Sequence, residues 1–336
     1  MKVEVTRGHL VESVHHVAAC AADAQGKPLL AEGDIEVPVF LRSSAKPFIA
    51  AAVLAAGVRE AFGLEMYEIA VMCASHFGQP FHVEAVESIL QKIGMTADDL
   101  QCGAHLPYDE ASASALLRAG KEPTALHNNC SGKHAGILAM CKVMGVDTAT
   151  YLQPDNPAQA EILAFCARMS DDDARTWPLG VDGCGIPVYA TALRKAAMAF
   201  ARFATLREVP ARDAAALLVA RDAMVAHPEY VSGSGEFDTV LMQAGGGDIA
   251  CKVGAEGVHA MSLIGQGVGF ASKILDGASR ARPPVTISAL RALGHRAAHA
   301  TELARFAEPA VYNRAGRQVG SIRAASHFAV EQASRT

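Results

Sequence analysis

Over the first forty residues, short apolar runs such as VAACAA and PLLA bounded by turn residues read as strands. Segments 15–22 and 28–31 flank Asp23-Ala24-Gln25-Gly26, a turn sequence that joins antiparallel strands. A third run, 35–41 (IEVPVFL), leads straight into LRSSAKPF. From Pro47 to about His227 the period becomes helical, with alanine-rich helices predicted at 47–57, 81–93, 110–119, 133–145, 157–168, 187–203 and 212–226. Strand patterns return at 249–253, 258–264 and 268–274, separated by glycines. A last hairpin is predicted over 310–325 around Asn313-Arg314-Ala315-Gly316, after the connector Arg280-Ala281-Arg282-Pro283-Pro284 and a helix near 286–294.

Strands from both chain ends and helices from the middle predict an α+β (α/β sandwich) fold. One antiparallel sheet is built from 1–42 and 231–330, with a large helical lobe from 43–230 packed beside it. No repeat, low-complexity segment or Gly/Ser linker interrupts the chain, so the expectation is one unit with two lobes. The tail, 331–336, reads as disordered.

Composition narrows the function classes. A net charge of −5 leaves no basic footprint for nucleic acid. No run of eighteen apolar residues is long enough to span a membrane, and MKVEVTRGHLVES lacks the apolar core of a signal peptide. The eight cysteines are scattered rather than arranged as a disulfide framework, so the expected setting is reducing and cytoplasmic.

Five segments could carry chemistry. In Ser43-Ser44-Ala45-Lys46 a strand ends and a helix begins near Pro47. A serine there sits where free N–H groups and the helix dipole favour developing negative charge, and a lysine one turn along can reach it. Burial would lower that lysine's pKa and provide a neutral amine as base. A capping serine beside a surface lysine is the plainer alternative. Val71-Met72-Cys73-Ala74-Ser75-His76 delivers a polar pair after a buried run, either to a cleft wall or as a cap for the next helix. His127-Asn128-Asn129-Cys130-Ser131-Gly132-Lys133-His134 crowds polar and ionisable groups ahead of an apolar helix. It is not a phosphate loop, because His127 and His134 replace the leading Gly and the closing Ser or Thr. Gly180-Val181-Asp182-Gly183-Cys184-Gly185 brings a second cysteine. Cys130 and Cys184 could form a soft, open metal site or simply be two small buried residues. Cys251-Lys252-Val253-Gly254-Ala255-Glu256-Gly257 sets a lysine on a short strand among glycines, either beside a small ligand or, the plainer reading of this segment alone, as a solvated lysine on a hairpin with ordinary turn glycines.

Together these segments resemble the L-asparaginase II family of Rhizobium etli type. VTRGHLVESVHH, FLRSSAKPF, ASHFGQPFH, HNNCSGKHAGIL, VDGCGIPVYA, GSGEFDT, KVGAEGV and KILDGASRARPP occur in the family's order over essentially the whole chain. The resemblance implies a serine β-lactamase/glutaminase-like fold and hydrolysis of L-asparagine to L-aspartate and ammonia. It implies one Ser–Lys pair, Ser43 with Lys46, and a second, Ser75 with Lys252. It implies a zinc ion held by Cys130, Lys133 and Cys184, a substrate pocket lined by Arg42, His76, Asn129 and Asp182, and a homodimer. Alternatives at this stage are a related glutaminase or penicillin-recognising serine hydrolase, an amidohydrolase whose nucleophile is zinc-bound hydroxide, and a catalytically silent zinc- or amino-acid-binding protein.

Overall fold

The computed structural model describes residues 1–326 and 328; the tail expected to be disordered lies outside them. The chain forms two compact units: Met1–Ser44 with Thr191–Thr205 and Val240–Thr336, and Ala45–Ala190 with Leu206–Thr239.

The first unit is built on an antiparallel sheet drawn from both chain ends. Its strands are β1 (Lys2–Arg7), β2 (Leu10–Ala22), β3 (Pro28–Glu32), β4 (Ile249–Gly254), β5 (Val258–Leu263), β6 (Val268–Ile274), β7 (Ala310–Tyr312) and β8 (Gln318–Ala324). Their order is β7-β8-β1-β2-β6-β5-β4, with β3 also pairing β2. The long strand β2 changes character along its length. Its first half is largely exposed, and its second half, Val17 to Ala22, is buried and paired with β6 from Val17↔Ile274 to Ala22↔Gly269. Of the run predicted as a third strand over 35–41, only Pro38–Phe40 is extended.

The predicted helix over 187–203 divides in two. Residues Pro187–Ala192 (PVYATA) are a strand, and the helix is Leu193–Thr205. β-branched and aromatic side chains favour the pleated surface, which decides the first half. The helix joins the sheet unit rather than the helical one, lying directly on β6. A Cβ at Gly269 would stand 2.7 Å from the main chain of Phe200 and against Ala197 and Ala201, so only glycine admits so close an approach. Residues 231–239, expected in the sheet lobe, belong to the helical unit.

The second unit packs α1 (Lys46–Ala55), α2 (Met66–Met72), α3 (Pro80–Lys92), α4 (Ser131–Met144), α5 (Pro157–Ser170) and α6 (Ala211–Ala226). Lys46 to Leu54 of α1 are all buried, as are Ser131 to Cys141 of α4. Helices apolar on every face belong inside a unit, and these two form its centre. α4 crosses α2 at Gly132, where an added Cβ would meet the Val71 carbonyl group at 2.7 Å from its carbon. That contact sets the start of α4 against the end of α2, the two places where the polar motifs begin. No helix among the described residues is long and apolar enough to cross a membrane.

Candidate active site

Lys46 is the first residue of α1 and has no exposed surface. Its amine donates to the Ala74 carbonyl oxygen at 2.5 Å, and reaches Ser75 Oγ at 3.1 Å and the Asn129 carbonyl oxygen at 3.4 Å. A buried ammonium with these partners is a costly charge. Desolvation, helped by nearby Lys133 and opposed by Cys130 and Cys184, lowers its pKa below that of an ordinary lysine. Ser75 therefore lies within hydrogen-bond reach of a lysine whose neutral form burial favours.

Ser75 follows the end of α2 on an extended segment. Ser75 N–H donates to the Val231 carbonyl oxygen at 3.0 Å and Phe77 N–H to that of Ser232 at 2.9 Å. His76 between them is fully buried. Its Nδ1 accepts from Gly78 N–H at 3.1 Å, which leaves Nε2–H to donate to Ser131 Oγ at 2.8 Å. Both ring nitrogens are thus engaged by the protein. The geometry makes His76 an orienting group that ties α4 to the Ser75 segment.

The adjacent amides Asn128 and Asn129 separate clearly. Asn128 is buried; it accepts from Cys130 N–H at 2.8 Å and donates to the Cys102 carbonyl oxygen at 2.8 Å. Asn129 is half-buried, and its main chain carries the contacts. Its carbonyl oxygen accepts from Lys46 and, at 3.2 Å, from His76 N–H, while its own N–H donates to His105 Nε2 at 2.9 Å.

Cys130 and Lys133 flank the first turn of α4, and Cys184 comes to them on the turn 182–185. That turn is closed by Gly185 N–H to the Asp182 carbonyl oxygen at 2.9 Å, with Gly185 at φ +91°. Lys133 Nζ donates to Cys184 Sγ at 3.0 Å, and the two thiols are hydrogen-bonded to each other. All three residues are buried. The Cys130 pKa lies well below the usual thiol value. The Cys184 hydrogen bond is the main cause, and Lys133 and Lys46 add to it against burial. Cys184 is pushed up by the same bond and by burial. Burial opposes the charge on Lys133, yet Cys130, Cys184 and Asp182 outweigh it and raise its pKa. Two sulfurs and one amine converging in a buried pocket suit a borderline-soft cation such as Zn²⁺. An amine ligates only after losing its proton, so these residues could hold such an ion by releasing the Lys133 proton.

Three expected site residues belong to the sheet unit. Arg42, half-buried and at φ +52°, lines a groove of about 350 Å³ with Glu256, Lys273 and the apolar run 37–40. Ser43 follows it, half-buried, in the 3₁₀ turn Arg42–Ala45. Lys252 lies fully buried on β4, donating to the Val253 carbonyl oxygen at 2.9 Å. Gly254 at the end of β4 rests on Leu41, where a Cβ would stand 2.7 Å from the carbonyl oxygen. The strand bearing Lys252 therefore ends beside the turn bearing Arg42 and Ser43.

Sequence reasoning missed Ala74, whose carbonyl oxygen anchors Lys46, and His105, which holds Asn129. Main-chain acceptors leave no trace in residue identity. His105 had one signal, a histidine in the loop QCGAHLPYD with its proline and aromatic, overlooked because the loop carries no known motif.

A comparison with curated protein sequences gave no match. Similar solved structures include a β-lactamase from Mycobacterium bovis, with 14% identity over 78% of this chain and 88% of that one at a TM-score of 0.37. A proposed β-lactamase from Bacteroides dorei shows 15% identity over 77% and 85% at 0.40. These scores are too low to support an argument about fold or chemistry. The family model for L-asparaginase II matches residues 3–324, nearly the whole chain, and the protein belongs to that family.

Proposed function

We propose that this amidohydrolase acts on L-asparagine, releasing L-aspartate and ammonia through a serine served by a buried lysine. The observation that carries the reading is the Lys46 amine, fully buried, lowered in pKa, 3.1 Å from the Ser75 hydroxyl and three residues along the chain from Ser43. A neutral amine beside a hydroxyl is what nucleophilic catalysis needs.

In this reading Lys46 takes the proton of Ser43 as its oxygen bonds to the side-chain amide carbon. The tetrahedral adduct collapses, the C–N bond breaks, and ammonia leaves with a proton relayed through Lys46 and Ser75. Water then cleaves the β-aspartyl ester, giving its proton back by the same route. Lys252, buried in the sheet unit, is the second lysine of the proposed machinery. Main-chain N–H groups at the start of α1 would stabilise the oxyanion. Recognition of a free amino acid needs a cation for its carboxylate and an anion for its ammonium, roles proposed for Arg42 and Asp182. Asn129 would hold the side-chain amide, since the Asn128 side chain is committed to the fold. Cys130, Lys133 and Cys184 would hold Zn²⁺, and the bound ion would supply Lewis-acid polarisation beside the substrate.

A second reading is favoured by the Lys46–Ser75 hydrogen bond itself: Ser75 is the nucleophile and Ser43 the relay. Glutamine is the competing substrate, because one methylene in a pocket is worth only about 1–3 kcal/mol. Ammonia release from asparagine and glutamine in parallel, by wild type and by Ser43→Ala and Ser75→Ala, tests the assignment. Release from neither substrate would end it. A cytoplasmic homodimer is the proposed working form, and light scattering of the purified protein tests the assembly.

A further inference from the structure

Residues 101–109 form a loop without regular structure, and it is fastened at four points that do not involve its histidine. Gln101 N–H donates to Tyr151 Oη at 2.8 Å, and the Cys102 carbonyl oxygen accepts from Asn128 Nδ2 at 2.8 Å. Pro107 is buried against Gly78, where a Cβ would stand 2.9 Å from the ring, and Asp109 N–H donates to the Phe77 carbonyl oxygen at 3.0 Å. The loop thus lies over the Ser75–Gly78 segment and the turn ahead of α4.

From this frame His105 reaches one atom of the site. Its Nε2 accepts from Asn129 N–H at 2.9 Å, and its Nδ1 lies 2.7 Å from the Leu106 carbonyl oxygen. An acceptor at Nε2 and a carbonyl at Nδ1 leave only one assignment, the neutral ring with its proton on Nδ1. The ring plane is set by Tyr108, stacked at 4.7 Å, which in turn meets Phe77 edge-on at 5.8 Å. Residue 129 lies between a 3₁₀ turn that ends at His127 and a helix that begins at Ser131, so neither element holds it. Its main chain is held instead by His105 on one side and by His76 and Lys46 on the other.

We propose that His105 is a positioning residue for the reaction, fixing the Asn129 main chain and through it the Lys46 amine and the Asn129 side chain. Its kinetic consequence rests on the amidohydrolase reading; its structural consequence does not. The imidazole's Nδ1–H bond is local, to the next residue, and the loop is anchored elsewhere, so the protein folds without the ring and loses alignment at Asn129.

The test compares wild type, His105→Leu and His105→Gln, the last having a side-chain oxygen able to accept from Asn129 N–H. Hydrogen exchange at the Asn129 amide, read by NMR, should quicken about tenfold in His105→Leu, the worth of one hydrogen bond, and stay slow in His105→Gln. The turnover number for asparagine should fall about tenfold in His105→Leu with KM within about twofold, and His105→Gln should recover most of it. Unchanged exchange in His105→Leu overturns the proposal, as does faster exchange with unchanged turnover, or a glutamine variant no better than leucine. A wild-type protein silent on asparagine and glutamine sinks the amidohydrolase reading instead, and the exchange measurement alone then decides whether His105 holds Asn129.

Discussion

Gly132→Ala should separate α4 from α2, the helices that set Cys130, Lys133 and Ser75 in place. Gly132 lies in the first turn of α4, between Cys130 and Lys133, and a Cβ there stands 2.7 Å from the Val71 carbonyl carbon and 3.2 Å from Val71 Cγ1. Ordinary carbon contacts are about 3.5–4.0 Å, so α4 must retreat from α2 by roughly 1 Å. The obstacle is main chain, which no rotamer change relieves. Overpacking costs about 1–3 kcal/mol, and this site belongs at the upper end. Alanine returns up to about 1 kcal/mol of helix propensity. The net loss is about 2 kcal/mol, a roughly 30-fold shift in the folding equilibrium. Activity should suffer more, because a misplacement of about 1 Å in a catalytic constellation costs on the order of 100-fold. Gly136→Ala, one turn along the same helix, meets only the flexible end of Met72, with its methyl at 3.0 Å, and should be nearly neutral. Urea unfolding midpoints and ammonia release for both variants give the answer. A Gly132→Ala protein with wild-type midpoint and turnover would show that α2 and α4 do not touch there, and the derived geometry would fall with it.

Two further outcomes follow from the same groups. Because the neutral form of Lys46 is the proposed base, kcat/KM should rise with pH along a limb whose midpoint lies below an ordinary lysine's value of about 10.4. The unfolded chain holds that proton more tightly than the folded one. Lys46 therefore costs no stability above the unfolded value, and an increasing amount as pH falls towards the folded one. Unfolding midpoints of Lys46→Met should lack this part of the pH dependence. If Cys130, Lys133 and Cys184 hold zinc, adding Zn²⁺ should raise the wild-type unfolding midpoint in proportion to the logarithm of its concentration, and a chelator should reverse the gain. Cys184→Ser should bind at least tenfold more weakly by calorimetry, and equal affinity would remove the cysteine from the ligand set.

Much of the architecture was readable in advance because each signal was strong and local. The Asp23–Gly26 turn between two apolar strand runs, and the matching strands near the other terminus, predicted a sheet drawn from both ends, and β1–β8 form it. The error at 187–203 arose where a short apolar run carried both periods, and its β-branched residues decided for strand. Lys46 could be picked out because an ionisable residue interrupts a buried helix, and the structure buries it completely. His76 looked like a pocket residue for the same reason, but a histidine with two satisfied nitrogens looks identical in sequence to one with a free nitrogen. Lys133 beside Cys184 was invisible to a count of cysteines and histidines, since lysine seldom joins a ligand set. It entered only through family resemblance. Which of two neighbouring asparagines serves the fold depends on the loop at Cys102, and no spacing rule connects residues that far apart.

The central claim is that an amide is cleaved through an ester on a serine served by the Lys46 amine. Acid-quenching the protein during turnover of L-asparagine, then mapping the peptides by mass spectrometry, tests it directly. The account predicts one aspartyl adduct on the peptide bearing Ser43, absent after Ser43→Ala and not accumulating in Lys46→Met. An adduct on Ser75 would exchange the two serines' roles. Sustained ammonia release with neither serine ever modified, or undiminished in Lys46→Met, would contradict the claim.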